Sequence, residues 1–258
     1  MKKTVSRVFI AVGALAVAIA LAAPALGQEV KEKPPMYSYV GNWTIPRAQW
    51  ADMAKANAAD QSLLDKALAG GTIVAYGNDT NLVHTETGNT HDDWWSSMSM
   101  AGLMSVLDQF YKAGSSTTPV LESATKHSDE IVVSRYYNWK PGTYKDAYTR
   151  VATYKLKHDA PNDAVETLSK NLFVPLLEKM LADGSIVEYE IDQEAIHTDD
   201  PNTFAVVFIA AKADALDKFL AAVVELRKSN PLAGPGFGSM SESSAHRDYL
   251  SRTNATYK

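Results

Sequence analysis

LLDKALAGGTIVAYGNDTNLVHTETGNT, residues 63–90, aligns without a gap to LLEKMLADGSIVEYEIDQEAIHTDDPNT, residues 176–203, at an offset of 113 residues. Fourteen of the 28 positions are identical, among them Gly71/Gly184, Ile73/Ile186, Tyr76/Tyr189, His84/His197 and Thr85/Thr198. The chain therefore carries two copies of one supersecondary unit. Extended backwards, the same offset pairs YSYVGNWTI (37–45) with RVATYKLKH (150–158), both rich in aromatic and β-branched residues as strands are. A helical pattern follows each. In copy two Val165, Leu168, Leu172, Leu176 and Met180 recur at helical spacing, and Pro175 is expected to kink the helix or start a new one. Gly70–Gly71 and Gly184 close the two helices.

A second strand comes next, TIVAYG in copy one and SIVEYEI in copy two, and then a His-Thr turn. The third strand is FAVVFIAA (204–211) in copy two and the more polar DWWSSMSMA (93–101) in copy one. LDQF (107–110) and LDKF (216–219) mark second helices at an offset of 109, so copy one holds four extra residues near its third strand. Polar connections then lead to His-x-Asp triplets, His127–Asp129 and His246–Asp248, and to last strands EIVVSRYYNW and YLSRTNATY. Each copy reads β-α-β-β-α-β, the ferredoxin-like α+β unit. One sheet face of such a unit lies under its helices and the other needs a cover. Two tandem copies can supply it by closing an eight-stranded antiparallel barrel, which removes exposed edges. The expected organisation is a signal peptide at 1–27, a linker at 28–35, repeat one at 36–139, a connector at 140–146 and repeat two at 147–258.

The signal peptide rests on Lys2, Lys3 and Arg7, an apolar run from Val8 to about Leu26, and small residues at Ala25 and Gly27. Its removal leaves 22 basic against 30 acidic residues. With no basic stripe, nucleic acid is not expected as a partner, and no membrane association is expected after cleavage. The chain has no Cys, which excludes disulfides, thiolate metal sites and a Cys nucleophile. A periplasmic or secreted location follows as the expectation.

VATYKLK leading into a helix, followed by LLEKMLADGSIVEYEI, resembles the dimeric α/β-barrel superfamily, which includes antibiotic-biosynthesis monooxygenase-like, EthD-like and NIPSNAP-like domains. The resemblance covers roughly residues 36–258 and extends to secreted bacterial members of similar pattern. It implies a dimer fused into one chain. It does not single out an activity, because the superfamily hosts oxygenases, isomerases, haem enzymes and binding proteins. Haem-binding relatives supply a helix-borne axial His, and neither second helix here contains one. No cofactor is expected, although haem or a His-bound metal stays open.

In the 4-1-3-2 order of a ferredoxin-like sheet, strand two ends where strands three and four begin. If strand two of each copy lies beside strand four of the other, the histidines gather at one mouth. His84 then lies toward His246, and His197 toward His127, with His91 and His158 at the same end. Histidine with Asp two residues on along a strand suits an oriented acid/base or a supported metal ligand, and equally a turn or strand start that both copies need. A single site should use residues that differ between copies. Copy one alone has His91, Asp92, Asp93, Trp94 and Trp95, then Ser96 to Met100, where copy two is apolar. Asp92 and Asp93 are adjacent, point oppositely on a strand, and make a poor acid/base pair. Tyr76 and Tyr189 read as core. No Gly-rich phosphate loop or Gly-x-Ser-x-Gly elbow is present.

Three functions are consistent with this pattern. The first is an exported barrel binding a small, partly apolar molecule through Trp94, Trp95, Ser97, Met98, Ser99, His127 and His197. The second is a cofactor-independent oxygenase or proton-transfer enzyme on an aromatic or polyketide-like compound, with His91, His84 and His246 as acid/base candidates. The third is a structural or interaction module.

Overall fold

The computed structural model describes residues 30–85, 88–197 and 202–258. The signal-peptide expectation for residues 1–27, and Thr198 of the second His-Thr pair, lie outside the described residues. Eight strands form one closed antiparallel barrel: β1 (Met36–Thr44), β2 (Ala75–Asn81), β3 (His91–Ser97), β4 (Lys126–Trp139), β5 (Gly142–Lys155), β6 (Glu188–Glu194), β7 (Thr203–Ala210) and β8 (Arg247–Tyr257). The order around the barrel is β1-β3-β2-β8-β5-β7-β6-β4. Each repeat thus keeps the 4-1-3-2 order, and β2 pairs with β8 as β6 pairs with β4. This is the pseudo-dimeric ferredoxin-like barrel expected from the repeat.

The helices pack on the outside. They are α1 (Trp50–Ala69) and α2 (Met100–Ala113) in repeat one. Repeat two has α3 (Ala164–Leu168), α4 (Val174–Ala182) and α5 (Asp214–Ser229). A π-helical turn, Ser169–Phe173, joins α3 to α4 without a break, and Pro175, which has no N–H to donate, follows it in the first turn of α4. Strand alternation divides the side chains. Tyr39, Tyr76 and Trp95 point out to Leu103 and Val106 in one core. Tyr189, Ile191, Phe204 and Phe208 point out to Leu168, Leu177 and Phe219 in a larger one. Full burial of each such side chain is worth about 1.5–3 kcal/mol.

The two copies share their helix-to-strand corners atom for atom. Gly71 and Gly184 both adopt left-handed φ, 74° and 79°, and the following N–H groups of Thr72 and Ser185 donate to Ala67 O and Met180 O. Tyr76 Oη donates to Asp65 on α1 at 2.6 Å, and Tyr189 Oη donates to Glu178 on α4 at 2.6 Å. These pairs sit at the same 113-residue offset, so each buried tyrosine pins its strand to its helix.

Several strand boundaries differ from expectation, three of them with a consequence for the site or its supports. The third strand of copy one ends at Ser97 rather than Ala101, because Ser99 caps α2 by accepting from Gly102 N at 3.1 Å. The connector at 140–146 shrinks to a turn at its start, since β5 already begins at Gly142 and absorbs the rest through a register shift between Tyr144 and Ala147. β4 starts at Lys126, which places His127 inside the strand. The linker docks on β4: Lys33 N donates to Arg135 O at 2.9 Å, and Tyr137 Oη donates to Pro34 O at 2.8 Å. Among the described residues no helix is long and apolar enough to cross a membrane.

Candidate functional site: an acidic cavity inside the barrel

The barrel interior is not filled by side chains. It encloses a cavity of about 1310 Å³, large enough for a drug-sized molecule. Its closed end is apolar. Ala75, Ala147, Val187, Ile209, Ala255 and Tyr257 cluster there, with Trp94, Trp139 and Tyr144 against them. The ring centroids of Trp94 and Tyr257 lie 5.9 Å apart. The opposite end opens between Thr44, Gly88, Lys126, His127, Gln193, Thr203 and Arg247.

Between floor and mouth the wall is acidic. On β6 every second residue faces inward, so Glu188, Glu190 and Asp192 form a ladder into the cavity, and Asp79, Asp92 and Glu130 face it from β2, β3 and β4. Burial raises these carboxyls. Asp79 is pushed up to about 6 by desolvation, against hydrogen bonds from Thr253 and Thr149 that favour its anion. Asp192 is pushed up to about 7 by desolvation and the charge of Glu130, although Ser134 donates to it. Desolvation also holds Glu188, Glu190 and Asp92 well above the usual carboxylate range, and neighbouring acids add to the effect. Glu188 is 3% exposed, and its Oε2 has no hydrogen-bond partner among the described residues.

The wall is asymmetric in a way that the repeat makes visible. At the 113-residue offset Gly77 and Trp94 of copy one correspond to Glu190 and Val207 of copy two. Both are paired neighbours, Gly77↔Trp94 and Glu190↔Val207. Trp94 lies across Gly77 so closely that a Cβ there would come within 2.4 Å of the indole. Glycine is therefore required where copy two carries a carboxylate. Likewise Ala75 corresponds to Glu188, whereas Asp79 and Asp192 are shared. β2 and β6 lie on opposite sides of the closed barrel, as do β3 and β7. Copy one thus adds Trp94 to the lining and copy two adds Glu188 and Glu190 on the opposite side, while Asp79 and Asp92 of copy one and Asp192 of copy two keep both sides acidic nearer the mouth.

The histidines expected at one mouth all lie at strand ends on that side. Registers Asn81↔Ser251 and Val132↔Glu194 place His84 toward His246 and His197 toward His127. They form separate groups rather than one. His91 is buried on the outer face of β3, shares a 2.9 Å hydrogen bond with Thr90 Oγ1, and meets Trp50 edge-on at 5.3 Å. Desolvation, then the charge of His84, pushes it down to about 4. His84 lies 5.2 Å from the same Trp50 ring.

His127 Nε2 is 3.0 Å from Asp129 Oδ1, and the ring stacks on Trp43 at 3.6 Å. His246 Nε2 is 3.2 Å from Asp248 Oδ2, its Nδ1 lies 2.9 Å from Thr153 O, and the ring stacks on Tyr154 at 4.5 Å. His158 and His197 are exposed. Among the described residues no group of three or more His, Asp or Glu is placed to hold a metal ion.

Of the copy-one segment, Trp94 lines the cavity and His127 reaches its rim. Trp95 faces α2, its Nε1 donating to Leu103 O at 3.2 Å, and Ser97 donates to Thr72 O at 2.7 Å. Ser99 is spent on the α2 cap, and Met98 is exposed beside Tyr137. Asp92 and Asp93 point to opposite faces, Asp92 into the cavity and Asp93 toward Asn57 and Asp60 of α1. The carboxyl ladder was readable in principle. EYEIDQE alternates acids with Tyr189 and Ile191, and the acids share the face opposite the buried tyrosine. A search confined to third-strand differences passes over it.

No family model and no curated protein matches the chain. Among solved structures it is similar to two proteins named as putative monooxygenases. The one from Lactobacillus acidophilus has a TM-score of 0.61 at 13% identity over 87% of this chain and 97% of that one. The one from Fusobacterium nucleatum has 0.61 at 8% identity over 88% and 95%. An anthrone oxidase-like protein gives 0.55 at 9% identity over 88% and 94%. These likenesses establish the ferredoxin-like α/β-barrel fold. Haem, which the sequence resemblance leaves open, does not fit the residues present: all six histidines sit at strand ends rather than on helices, and the interior wall is lined by carboxyls.

Proposed function

We propose that this chain is an exported small-molecule-binding α/β barrel whose ligand enters past His127 and rests in the interior cavity. The observation that carries this reading is the cavity itself, about 1310 Å³ with a closed aromatic floor and an open polar mouth. A structural module would gain nothing from keeping such a space unfilled, since close packing is where a barrel draws stability. Export is inferred from the N-terminal signal pattern at 1–27.

A second reading, proton-transfer catalysis on the bound molecule, is favoured by one observation. Asp79 and Asp192 face the cavity with carboxyls pushed to about 6 and about 7, where a group can both accept and donate a proton near neutrality. His91 and His84 lie against Trp50 rather than facing the cavity, so this reading assigns the proton transfer to the carboxyls.

A thermal-shift screen of a small-molecule library on wild type, Trp94→Leu and His91→Ala tests the binding reading. Hits on wild type should be lost in Trp94→Leu and kept in His91→Ala. Hits lost only in His91→Ala would move the site to the Trp50 side of the rim. A library without a stabilising compound would contradict the reading.

A further inference from the structure

The cavity has a chemistry as well as a volume. Trp94 and Tyr257 present aromatic faces at the closed end. Glu188, Glu190 and Asp192 present a ladder of carboxyls from the other side, and Asp79 joins them across the barrel. Lys126 and Arg247 belong to the mouth, and among the described residues no basic side chain lines the deep wall. Arg150, the nearest cation on β5 by sequence, faces outward, where it pairs with Asp248 at 2.6 Å and covers the Phe219 ring.

Buried carboxyls without a cation or enough donors are costly. The wall satisfies them only in part. Asp79 has Thr149 and Thr253, and Asp192 has Ser134. Glu188 stands deepest, against the aromatic floor, and its Oε2 is unpartnered. A donor delivered into the cavity would complete it.

We propose that the cavity binds an organic cation, a protonated amine carried on an apolar or aromatic body, with the body against Trp94 and Tyr257 and the ammonium nitrogen donating to Glu188 and its ladder. This rests on the reading of the barrel as a small-molecule binder and specifies its ligand class. Carboxylates supply charge-assisted hydrogen bonds, and aromatic faces attract cations through their quadrupoles. The copy-specific exchanges support it. Copy two places Glu188 and Glu190 where copy one has Ala75 and Gly77, and copy one places Trp94 where copy two has Val207. A duplicated barrel built only for stability has no reason to set two additional buried acids opposite a tryptophan.

The test is calorimetric titration of the purified protein with three matched sets: tryptamine, tryptophol and indole-3-acetate; phenethylamine, phenylethanol and phenylacetate; cyclohexylamine, cyclohexanol and cyclohexanecarboxylate. At least one amine should bind ten-fold or more tightly than its alcohol, with its carboxylate silent. Glu188→Gln should remove most of that preference by weakening the amine at least ten-fold more than the alcohol. Glu190→Gln serves as the second variant if Glu188→Gln fails to fold by circular dichroism. Alcohols or carboxylates binding as well as the amines would overturn the proposal while leaving the binding cavity intact. So would silence of all nine compounds beside neutral or anionic hits from the wider library. Silence of all nine and of the whole library would overturn both.

Discussion

At the scale of single residues, the interior carboxyls set the behaviour of the molecule. Asp79 is held at about 6 against an ordinary 3.8, so the folded chain takes up this proton at higher pH than the unfolded chain does. Its contribution to stability is therefore full below about pH 3.8 and is lost as pH rises through about 6, a swing on the order of 2–3 kcal/mol. Asp79→Asn should raise Tm at pH 8 and give no gain at pH 4, as read by thermal melts across that range. An unchanged melting temperature at pH 8 would contradict the burial of that charge. His91 works in the opposite sense. Pushed down to about 4 from 6.5, it supports stability above 6.5 and withdraws that support as pH falls toward 4.

At the scale of elements, the repeat is written in the corners where helix meets strand. Gly71 and Gly184 turn the chain with positive φ, and Tyr76 and Tyr189 tie their strands to Asp65 and Glu178. Tyr76→Phe and Tyr189→Phe should each cost about 1–3 kcal/mol, because a carboxylate loses a short donor. Urea denaturation checks this, and two variants as stable as wild type would show that the shared tyrosines are not part of the frame.

These corners are also what the sequence made legible. Gapless identity over 63–90 and 176–203, the 3.6-residue helical spacing and the two glycines led to the strand order and to the closure of β2 on β8. Less legible was which strand face looks inward. In most barrels the apolar face is the buried one, but here both faces of β6 are buried. Tyr189 and Ile191 lie under helices, and Glu188, Glu190 and Asp192 surround the cavity. Differences in polarity between the copies therefore point to the DWWSSMSMA stretch and not to β6. Its Trp94 does line the cavity, while Ser97 and Ser99 serve strand-end and helix-cap hydrogen bonds.

At the scale of the whole molecule, fusion of two units into one chain is what permits an asymmetric interior. A symmetric dimer must present every interior residue twice, so a Glu190 would always face another Glu190 and a Trp94 another Trp94. Here Gly77/Trp94 and Glu190/Val207 occupy equivalent positions with different side chains, and the barrel gains a tryptophan on one side and further carboxyls on the other. The pseudo-twofold is kept on the outside, in helix packing and in the His-x-Asp strand starts that stack on Trp43 and Tyr154. It is broken inside.

A crystal structure of the protein with a bound amine from the matched series tests this account most directly. The account predicts density inside the barrel, with the ring against Trp94 and the nitrogen within hydrogen-bonding distance of Glu188. Density at the Trp50 side of the rim, or an interior closed up by side chains, would contradict it.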